Sequence, residues 1–591
     1  MQEIQNERLY QAFITGAKEV MNNRLLLNQI NVFPVPDADT GNNLYSMMNS
    51  IIIYSEVKES LRATLASISE SAIIGARGNS GVIFAQYIQG LCAFEAQSVA
   101  LDREQFILAA ENGVSYAYSA VESPVEGTML TAMRIFHKSL LKYNDIKISF
   151  MDVLEHAYLQ VEASVNQTTN QLAVLKKASV VDSGAKGFAF FIKGFISGLK
   201  GKSISLEHHE LVVNFEMNLG HKYADVLTPP KYRYCTEALI SGHEKKFKHL
   251  KRNLAAYGDS VVVSSGSSYS RIHLHTNCPS EVFKSLSENF EIKEQKVDDM
   301  LRQYMQQYQR KYKTVVVTDS IADLPQFKID DGQVVVIPLE ILIGDQYFMD
   351  GLTINNDMIF EMGNKLGNHH TSSLPNIHKV KKMLVDLMHI YEDAVIITVS
   401  KKMSGTYHII KMAAEIFGDR IQVIDSKQNS VAQGLIVYNA IKMLEDGYNA
   451  LEIREHVEAL VPKSRIFVSV KNLDNMVASG RLNSHLAGVV KQLKLYPIIS
   501  IDTQGRGVIA KMIWGIKNRK RALLKLMLEA MRSYELDSFA VTYVDDKEEA
   551  EYFVKEAEKF LGIKCEYLVQ CSSIIAAGAG KGAFAVAYTR K

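Results

Sequence analysis

The sequence predicts a multidomain protein: an all-α region, a small α+β region and an α/β region. Three observations predict it. Apolar residues recur at three- and four-residue spacing from the amino terminus to about residue 200. Near Ser205 the texture changes, with His208, His209 and the Pro229-Pro230 pair marking a joint. From Lys313 onward, short apolar runs alternate with helical patterns, the signature of an α/β region with ligand sites at strand carboxyl ends. The boundaries read as 1–204, 228–298, a linker over 299–312, and 313–591.

In the first region the periodicity predicts helices over Glu7–Ile30, Asn42–Tyr54, Leu61–Ala76 and Ser80–Phe94, with Gly or Pro at the joints. In the second, Tyr232–Ile240 alternates like a strand and His243–Ala256 reads as a helix. Val261–Ser265 and Arg271–Thr276 flank Gly266-Ser-Ser-Tyr-Ser as a hairpin, and Pro279–Phe290 is helical. Asp298–Tyr312 is polar, Gln-rich and predicted helical. The strands predicted in the third region are Thr314–Thr318, Gln333–Pro338, Ala394–Val399, Ile421–Ile424, Ile466–Val470, Pro497–Ile501, Phe539–Val544 and Cys565–Val569. Several lack alternation, which suits strands buried on both faces.

Composition narrows the function. The 591 residues carry 66 Lys/Arg against 65 Asp/Glu, interspersed, for a net charge of +1. No basic block calls for nucleic acid, and no polybasic tail for a membrane surface. An apolar content of 47% supports real cores. No run of about 18 apolar residues is present, so no transmembrane segment is expected. The amino-terminal MQEIQNERLY lacks an apolar signal core. Five scattered cysteines without a Cys-x-x-Cys fit a reducing compartment, so a cytoplasmic location is expected.

The chemistry concentrates in loops. Asn31–Leu44 reads NVFPVPDADTGNNL. Pro34 and Pro36 keep it extended, and Asp37 and Asp39 lie two apart on it. Gly41 allows a turn into a helix, where Thr40, Asn42 and Asn43 can donate or cap. Hard oxygen ligands on a stiff loop suit Mg²⁺, which keeps positions for phosphate oxygens. A polar loop entering a helix is the plainer reading of this stretch alone. Gly75–Gly81 (GARGNSG), Pro124–Thr131 (PVEGTMLT) and Val181–Gly187 (VDSGAKG) also precede helices. Small residues at helix amino termini expose N–H groups to phosphates. Four such loops in one all-α region argue for phosphoryl transfer.

Together these loops resemble the DhaL-type ATP-binding domain of the dihydroxyacetone kinase family, and most closely the version that opens bacterial fatty acid kinases. The resemblance implies a helical barrel holding Mg-ATP, with Asp37 and Asp39 as the catalytic Mg²⁺ ligands. It implies nucleotide contacts from Asn31, Thr40, Asn43, Asn79, Ser80, Gly81 and Thr128, with Asp182 close by. This chain departs from the pattern at Ala38 (Gly in the family), Asn42 (Thr) and Leu44 (Met).

In the second region His273 and His275 lie two apart on a strand and so face one side. With Cys235 they could form a zinc site. The fatty acid kinases carry the same Tyr-Cys-Thr-Glu and His-x-His-Thr, here Tyr234–Glu237 and His273–Thr276. A fourth ligand, water or a carboxylate such as Glu237, is left open.

The third region resembles the DegV family of fatty-acid-binding proteins. The resemblance rests on ordered pieces: Val316–Ser320, Ala322–Pro325, Val336–Leu339, Asp350–Thr353, Ser372–Pro375, Met403–Tyr407, Val423–Ser426, Ser479–Arg481 and Gly580–Ala583. It implies two subdomains, with Ser372 and Ser404 binding the fatty acid carboxylate and Arg481 near the head group. A Ser-Gly-Thr helix start is independently a natural carboxylate receptor. Gly578 stands where His is common in the family. Lys581 replaces Pro, so it could supply positive charge there.

The combination implies a fused kinase and carrier that phosphorylates a fatty acid carboxylate. Its acyl phosphate would pass to an acyltransferase, and transfer could run within one chain or across a homodimer. The implied cofactors are ATP and Mg²⁺, with Zn²⁺ a candidate. Two alternatives stand beside it: a polyol kinase of the dihydroxyacetone type with a separate partner, and a non-catalytic lipid-binding regulator.

Overall fold

The computed structural model describes residues 3–32, 39–93, 100–121, 124–144, 148–206, 229–242, 244–247, 249–365, 370–471, 476, 495–515 and 518–591. Asp37, Ala38 and Arg481 lie outside them. The chain divides into two compact units, Met1–Tyr304 and Met305–Lys591.

The first unit opens with ten helices among its described residues: α1 (Asn6–Asn22), α2 (Arg24–Gln29), α3 (Thr40–Tyr54), α4 (Leu61–Gly75), α5 (Gly78–Cys92), α6 (Arg103–Ala120), α7 (Met129–Asn144), α8 (Phe150–Gln171), α9 (Ala173–Ala178) and α10 (Ser183–Leu199). Asn23 separates α1 from α2, where the periodicity predicts one helix. Two short strands, β1 (Glu3–Gln5) and β2 (Ala100–Asp102), pair antiparallel. α10 is apolar on nearly every face and is buried accordingly. It packs on α1, α2, α3, α7 and α8. Glycines let α1 and α10 approach closely: a Cβ at Gly198 would lie 2.7 Å from Ala12 Cα, and one at Gly194 2.7 Å from the Thr15 carbonyl. Edge-on contacts among Phe13, Phe84, Phe188, Phe191 and Phe195 fill the centre.

A four-stranded antiparallel sheet follows in the same unit: β3 (Tyr234–Ser241), β4 (Gly258–Ser265), β5 (Tyr269–Thr276) and β6 (Glu291–Asp299), in the order β4-β5-β3-β6. The helix predicted over His243–Ala256 is two short helices, Glu244–Phe247 and Leu250–Leu254. β6 extends to Asp299 and a helix runs over Met300–Tyr308. The sheet is tied to α4 and α5. Arg271, almost fully buried, donates to the Ile74 carbonyl and pairs with Glu294, which also holds Arg77. Gln86 Nε2 donates to Ser264 Oγ at 3.0 Å.

The second unit contains β7 (Thr314–Asp319), β8 (Val335–Ile337), β9 (Glu340–Ile343), β10 (Gln346–Met349), β11 (His370–Ser373), β12 (Asp393–Thr398), β13 (Ile421–Asp425), β14 (Arg465–Ser469), β15 (Leu495–Ile501), β16 (Gly507–Trp514), β17 (Leu536–Tyr543), β18 (Cys565–Gln570) and β19 (Phe584–Arg590). They form a parallel sheet β13-β12-β7-β8, a six-stranded sheet β16-β15-β14-β19-β17-β18, and a small antiparallel sheet β10-β9-β11. The six-stranded sheet is antiparallel except between β17 and β18. Continuous apolar runs say that a strand is buried, not which way its neighbour runs, so they did not separate the two sheets. Helix Ser430–Glu445 is buried along most of its length and packs on strands of both. The all-α, α+β and α/β reading holds. Among the described residues no helix is long and apolar enough to cross a membrane.

Candidate functional site

The described part of the opening loop is built around hydrogen-bonded side chains. Thr40 Oγ1 donates to Asn31 Oδ1 at 2.9 Å, both buried, so two predicted site residues brace each other. Asn42 Oδ1 accepts from Arg24 Nε at 2.6 Å and from Asn28 Nδ2 at 3.1 Å. The Asn that replaces the family Thr thus locks α3 onto α2. Asn43 is buried against Gly78, the first residue of α5. Gly78 has φ +58°, and a Cβ there would fall 2.2 Å from Asn43 Nδ2. Only glycine satisfies both constraints. Asn79 Oδ1 is buried without a partner among the described residues, while Ser80 is half-buried and Gly81 buried. Thr128 Oγ1 donates to the Val125 carbonyl at 2.8 Å. Asp182 caps α10 by accepting from Ala185 N at 2.7 Å. Burial pushes its carboxyl up to about 6 against the opposing N–H groups of Ala185, Met129 and Gly184.

The sheet carries the second cluster, and its register explains it. Across the sheet Cys235 on β3 faces His275 on β5 and Asp298 on β6, and His275 faces Asp259 on β4. One pleat along, Glu237 on β3 faces His273 on β5 and Lys296 on β6. Side chains two apart on a strand share a face, so two cross-strand rows make one block. Ligand atoms of Cys235, His273 and His275 lie within 4.8 Å of one another. Glu237 Oε1 is 3.3 Å from His273 Nδ1, while His273 Nε2 and Glu237 Oε2 are buried without partners among the described residues.

Charges in the block are strongly coupled. Burial acts to raise the Glu237 carboxyl, but His273, Lys296 and the Gly78 N–H outweigh it and hold the group well below the usual range. Burial, helped by His273, pushes His275 down to about 3. Burial, then Glu237 and Asp298, push the Cys235 thiol well up, and Asp39 adds to this. Asp39 is therefore an electrostatic neighbour of the cluster. The donor set fits a divalent metal: a thiol that a cation would convert to thiolate, two imidazole rings, and an ionised carboxylate behind one of them. Sequence reasoning did not single out Asp259, Lys296 or Asp298. The one signal available was the Lys-x-Asp spacing of Lys296 and Asp298, hidden by reading a helix from Asp298 where β6 runs to Asp299.

The cluster touches the glycine loop directly. Gly78 N–H donates to Glu237 Oε1 at 2.6 Å, buried.

In the second unit a cavity of about 310 Å³ opens beyond the carboxyl ends of β7 and β12. Ser372, on β11, and Ser404, ahead of helix Thr406–Ala414, both line it. Ser404 Oγ accepts from Thr406 N at 3.2 Å. Ile321, Leu339, Val399 and Ile574 give it apolar walls. Gly578 lines it too, with no atom within 4 Å of a Cβ placed there. Lys581 does not line it; its ammonium sits 5.0 Å over the Phe360 ring.

Three buried carboxylates brace the loops around this cavity. Asp319 accepts from Val399 N at 2.7 Å and Gln433 Nε2 at 3.1 Å. Asp350 accepts from Ser320 Oγ and Ser573 N, each at 2.7 Å. Asp323 accepts from Ser430 Oγ at 2.5 Å and Ser572 N at 2.8 Å. Burial pushes Asp319 and Asp350 up to about 6 and Asp323 up to about 7.

Three family models match in sequence order. A DAK2 domain covers 34–197, a FakA-like fatty acid kinase middle domain 231–307, and the DegV family of uncharacterised proteins 313–591. The chain joins a DAK2 domain, a FakA-like middle domain and a DegV-family domain. Uncharacterized proteins of Staphylococcus haemolyticus and Staphylococcus epidermidis are 34% identical over 301 residues, 49% of this chain and 54% of theirs. The chain thus spans about half the length of these relatives. Among solved structures, a fatty-acid-binding DegV-family protein of Thermus thermophilus is 23% identical with a TM-score of 0.42, over 47% of this chain and 99% of its own. A stearic acid-binding protein of Eubacterium ventriosum is 26% identical with a TM-score of 0.44, over 48% and 99%.

Proposed function

We propose that this chain is a fatty acid kinase that carries its own acyl-binding domain. The observation that carries the proposal is the Glu237–Gly78 contact, which joins the Cys235/His273/His275 cluster to the glycine loop inside one compact unit. A DegV-family domain with a cavity beside two serines lies in the same chain.

In this reading Asp37 and Asp39 hold Mg²⁺, and Asn31, Thr40, Asn43, Asn79, Ser80, Gly81 and Thr128 seat ATP, with Asp182 setting the end of α10 nearby. The fit rests on the orphaned Asn79 Oδ1 and on the α5 amino terminus, where Gly78 lets Asn43 pack against the helix start. Magnesium would supply neutralisation of phosphate charge. Zn²⁺ is the metal that suits Cys235, His273 and His275. Ser372, Ser404 and Arg481 would hold the acyl carboxylate while the apolar cavity takes part of the chain.

The carboxylate acceptor is already ionised near neutral pH, so no general base is needed. One carboxylate oxygen bonds to the γ-phosphorus as the bond from that phosphorus to the β–γ bridging oxygen breaks. ADP leaves with the bond's electron pair, and acyl phosphate is formed. The chain's residues supply alignment and charge compensation. Acyl phosphate is an activated acyl donor, which an acyltransferase would consume. Fusion would replace docking of separate proteins by an intramolecular effective concentration, within one chain or across a homodimer.

The test is incubation of purified chain with Mg-ATP and oleate, with hydroxylamine to trap acyl phosphate as hydroxamate. Hydroxamate that disappears in D37A and D39A, with oleate binding retained, is expected. Phosphorylated dihydroxyacetone without hydroxamate would replace this reading by a polyol kinase. Neither product, with lipid bound, would replace it by a lipid-binding regulator.

A further inference from the structure

Glu237 holds two partners from two structural elements. Its Oε1 accepts the Gly78 N–H at 2.6 Å and lies 3.3 Å from His273 Nδ1. The carboxylate is 1% exposed. His273 Nδ1 faces both Glu237 Oε1 and, at 3.7 Å, Cys235 Sγ. With the Nδ1 proton given to Glu237, the ring nitrogen left for a cation is Nε2, which is buried without a partner among the described residues. A carboxylate behind a histidine fixes ring orientation and raises ligand basicity. On its other side the same oxygen fixes the first N–H of α5, at a glycine whose φ of +58° packs it against Asn43.

The neighbouring framework is stiff. Arg271 anchors β5 to the Ile74 carbonyl at the end of α4, and Arg77 and Arg271 share Glu294 of β6. Displacement of the Glu237 carboxylate is thereby passed to the Gly78 N–H instead of being absorbed by sliding of the sheet. A cation on His273 Nε2 makes the Nδ1–H a stronger donor to Glu237. That draws the carboxylate into one position and so fixes the amino end of α5.

We propose that Glu237 is a positioning residue that couples the two sites, so that a divalent metal on Cys235, His273 and His275 raises the affinity of the Gly75–Gly81 loop for a Mg-nucleotide. This rests on the nucleotide reading of that loop. It adds a reciprocal linkage: the nucleotide must tighten the metal by the same factor.

The experiment uses the full chain, stripped of metal and returned to Mg²⁺ buffer. Mg-ADP is titrated calorimetrically with and without one equivalent of Zn²⁺. Zinc affinity is then measured against a chromophoric chelator with and without saturating Mg-ADP. The expected result is a tightening of about fivefold or more in both directions, the lower edge of ordinary allosteric coupling. E237Q, which keeps an acceptor for Gly78 but no charge behind His273, is expected to bind both ligands with the linkage lost. Equal Mg-ADP affinities with and without bound zinc overturn the proposal, as does zinc that does not bind. Should E237Q fail to fold, the reciprocal pair of wild-type measurements still decides. Absence of Mg-ADP binding under every condition overturns the nucleotide reading itself, a result distinguishable from unlinked binding.

Discussion

Two glycines three residues apart in the GARGNSG loop should respond oppositely to alanine. At Gly78 the backbone has φ +58°, which costs an L-residue about 1–2 kcal/mol. The added Cβ would also stand 2.2 Å from Asn43 Nδ2 and 2.9 Å from its Cγ, and Asn43 is itself buried. Overpacking of that kind costs about 1–3 kcal/mol. G78A should therefore destabilise the first unit by roughly 2–5 kcal/mol, or about 4–10 °C in its thermal transition, at some 2 °C per kcal/mol. Gly81 has ordinary φ, lies inside α5, and its Cβ would meet nothing closer than the Asn43 carbonyl at 3.5 Å. G81A should leave the transition unchanged or raise stability by up to about 1 kcal/mol through helix propensity. Scanning calorimetry of both variants against wild type checks this. Mg-ADP titration adds a second readout, because the G81A methyl should weaken binding without unfolding anything if this backbone cradles phosphate. A G78A transition that coincides with wild type, or a G81A transition that falls with it, would refute the reasoning.

Further perturbations address the second unit. S404A removes a hydroxyl from the cavity, and loss of one hydrogen bond to a charged carboxylate, about 1.5–3 kcal/mol, should weaken oleate roughly 10- to 100-fold. Displacement of a fluorescent fatty acid checks it, and unchanged affinity in both S404A and S372A would remove these serines from the head-group site. Asp323 has a folded pKa of about 7 against an ordinary 3.8, so its stability contribution is fully present below that ordinary value and lost as pH rises through 7. D323N should flatten the fall of the urea midpoint between about pH 4 and 7, and a slope equal to wild type would show that Asp323 does not titrate there. G578A should cost no stability, since its Cβ meets open space in helix Ser573–Ala579; a lowered urea midpoint would contradict this.

Much of the fold was legible because burial leaves a periodic trace. The apolar spacing of α3, α4 and α5 located those helices to within two residues, and the alternation of β3 and the hairpin of β4 and β5 were readable for the same reason. β1, β2, β6, β9, β10, β11, β16 and β19 were not, because short, polar or alanine-rich strands owe their place to partners that hydrophobic pattern does not identify. The break at Asn23, the split of His243–Ala256 and the start of the following helix at Met300, after β6 rather than at Asp298, are likewise decided by packing.

The sites divide along the same line. Sequence by itself determined the order of the three domains, the glycine loops and the Cys-Thr-Glu and His-Leu-His spacings, since each is a property of neighbours along the chain. The grouping of Cys235 with His273 and His275 was expected from the spacing and the resemblance, and the sheet brings the three together. Tertiary structure alone decided that Asp298 sits across from Cys235 and Lys296 across from Glu237, and that Glu237 reaches Gly78, 159 residues away. It also decided that Asp319, Asp323 and Asp350 are buried braces, and that Lys581 lies over Phe360, away from the cavity. The physical reason is that strand register and helix docking are set by the burial of whole faces. Which polar groups those faces bring within hydrogen-bond reach follows from long-range packing and leaves no local pattern to read.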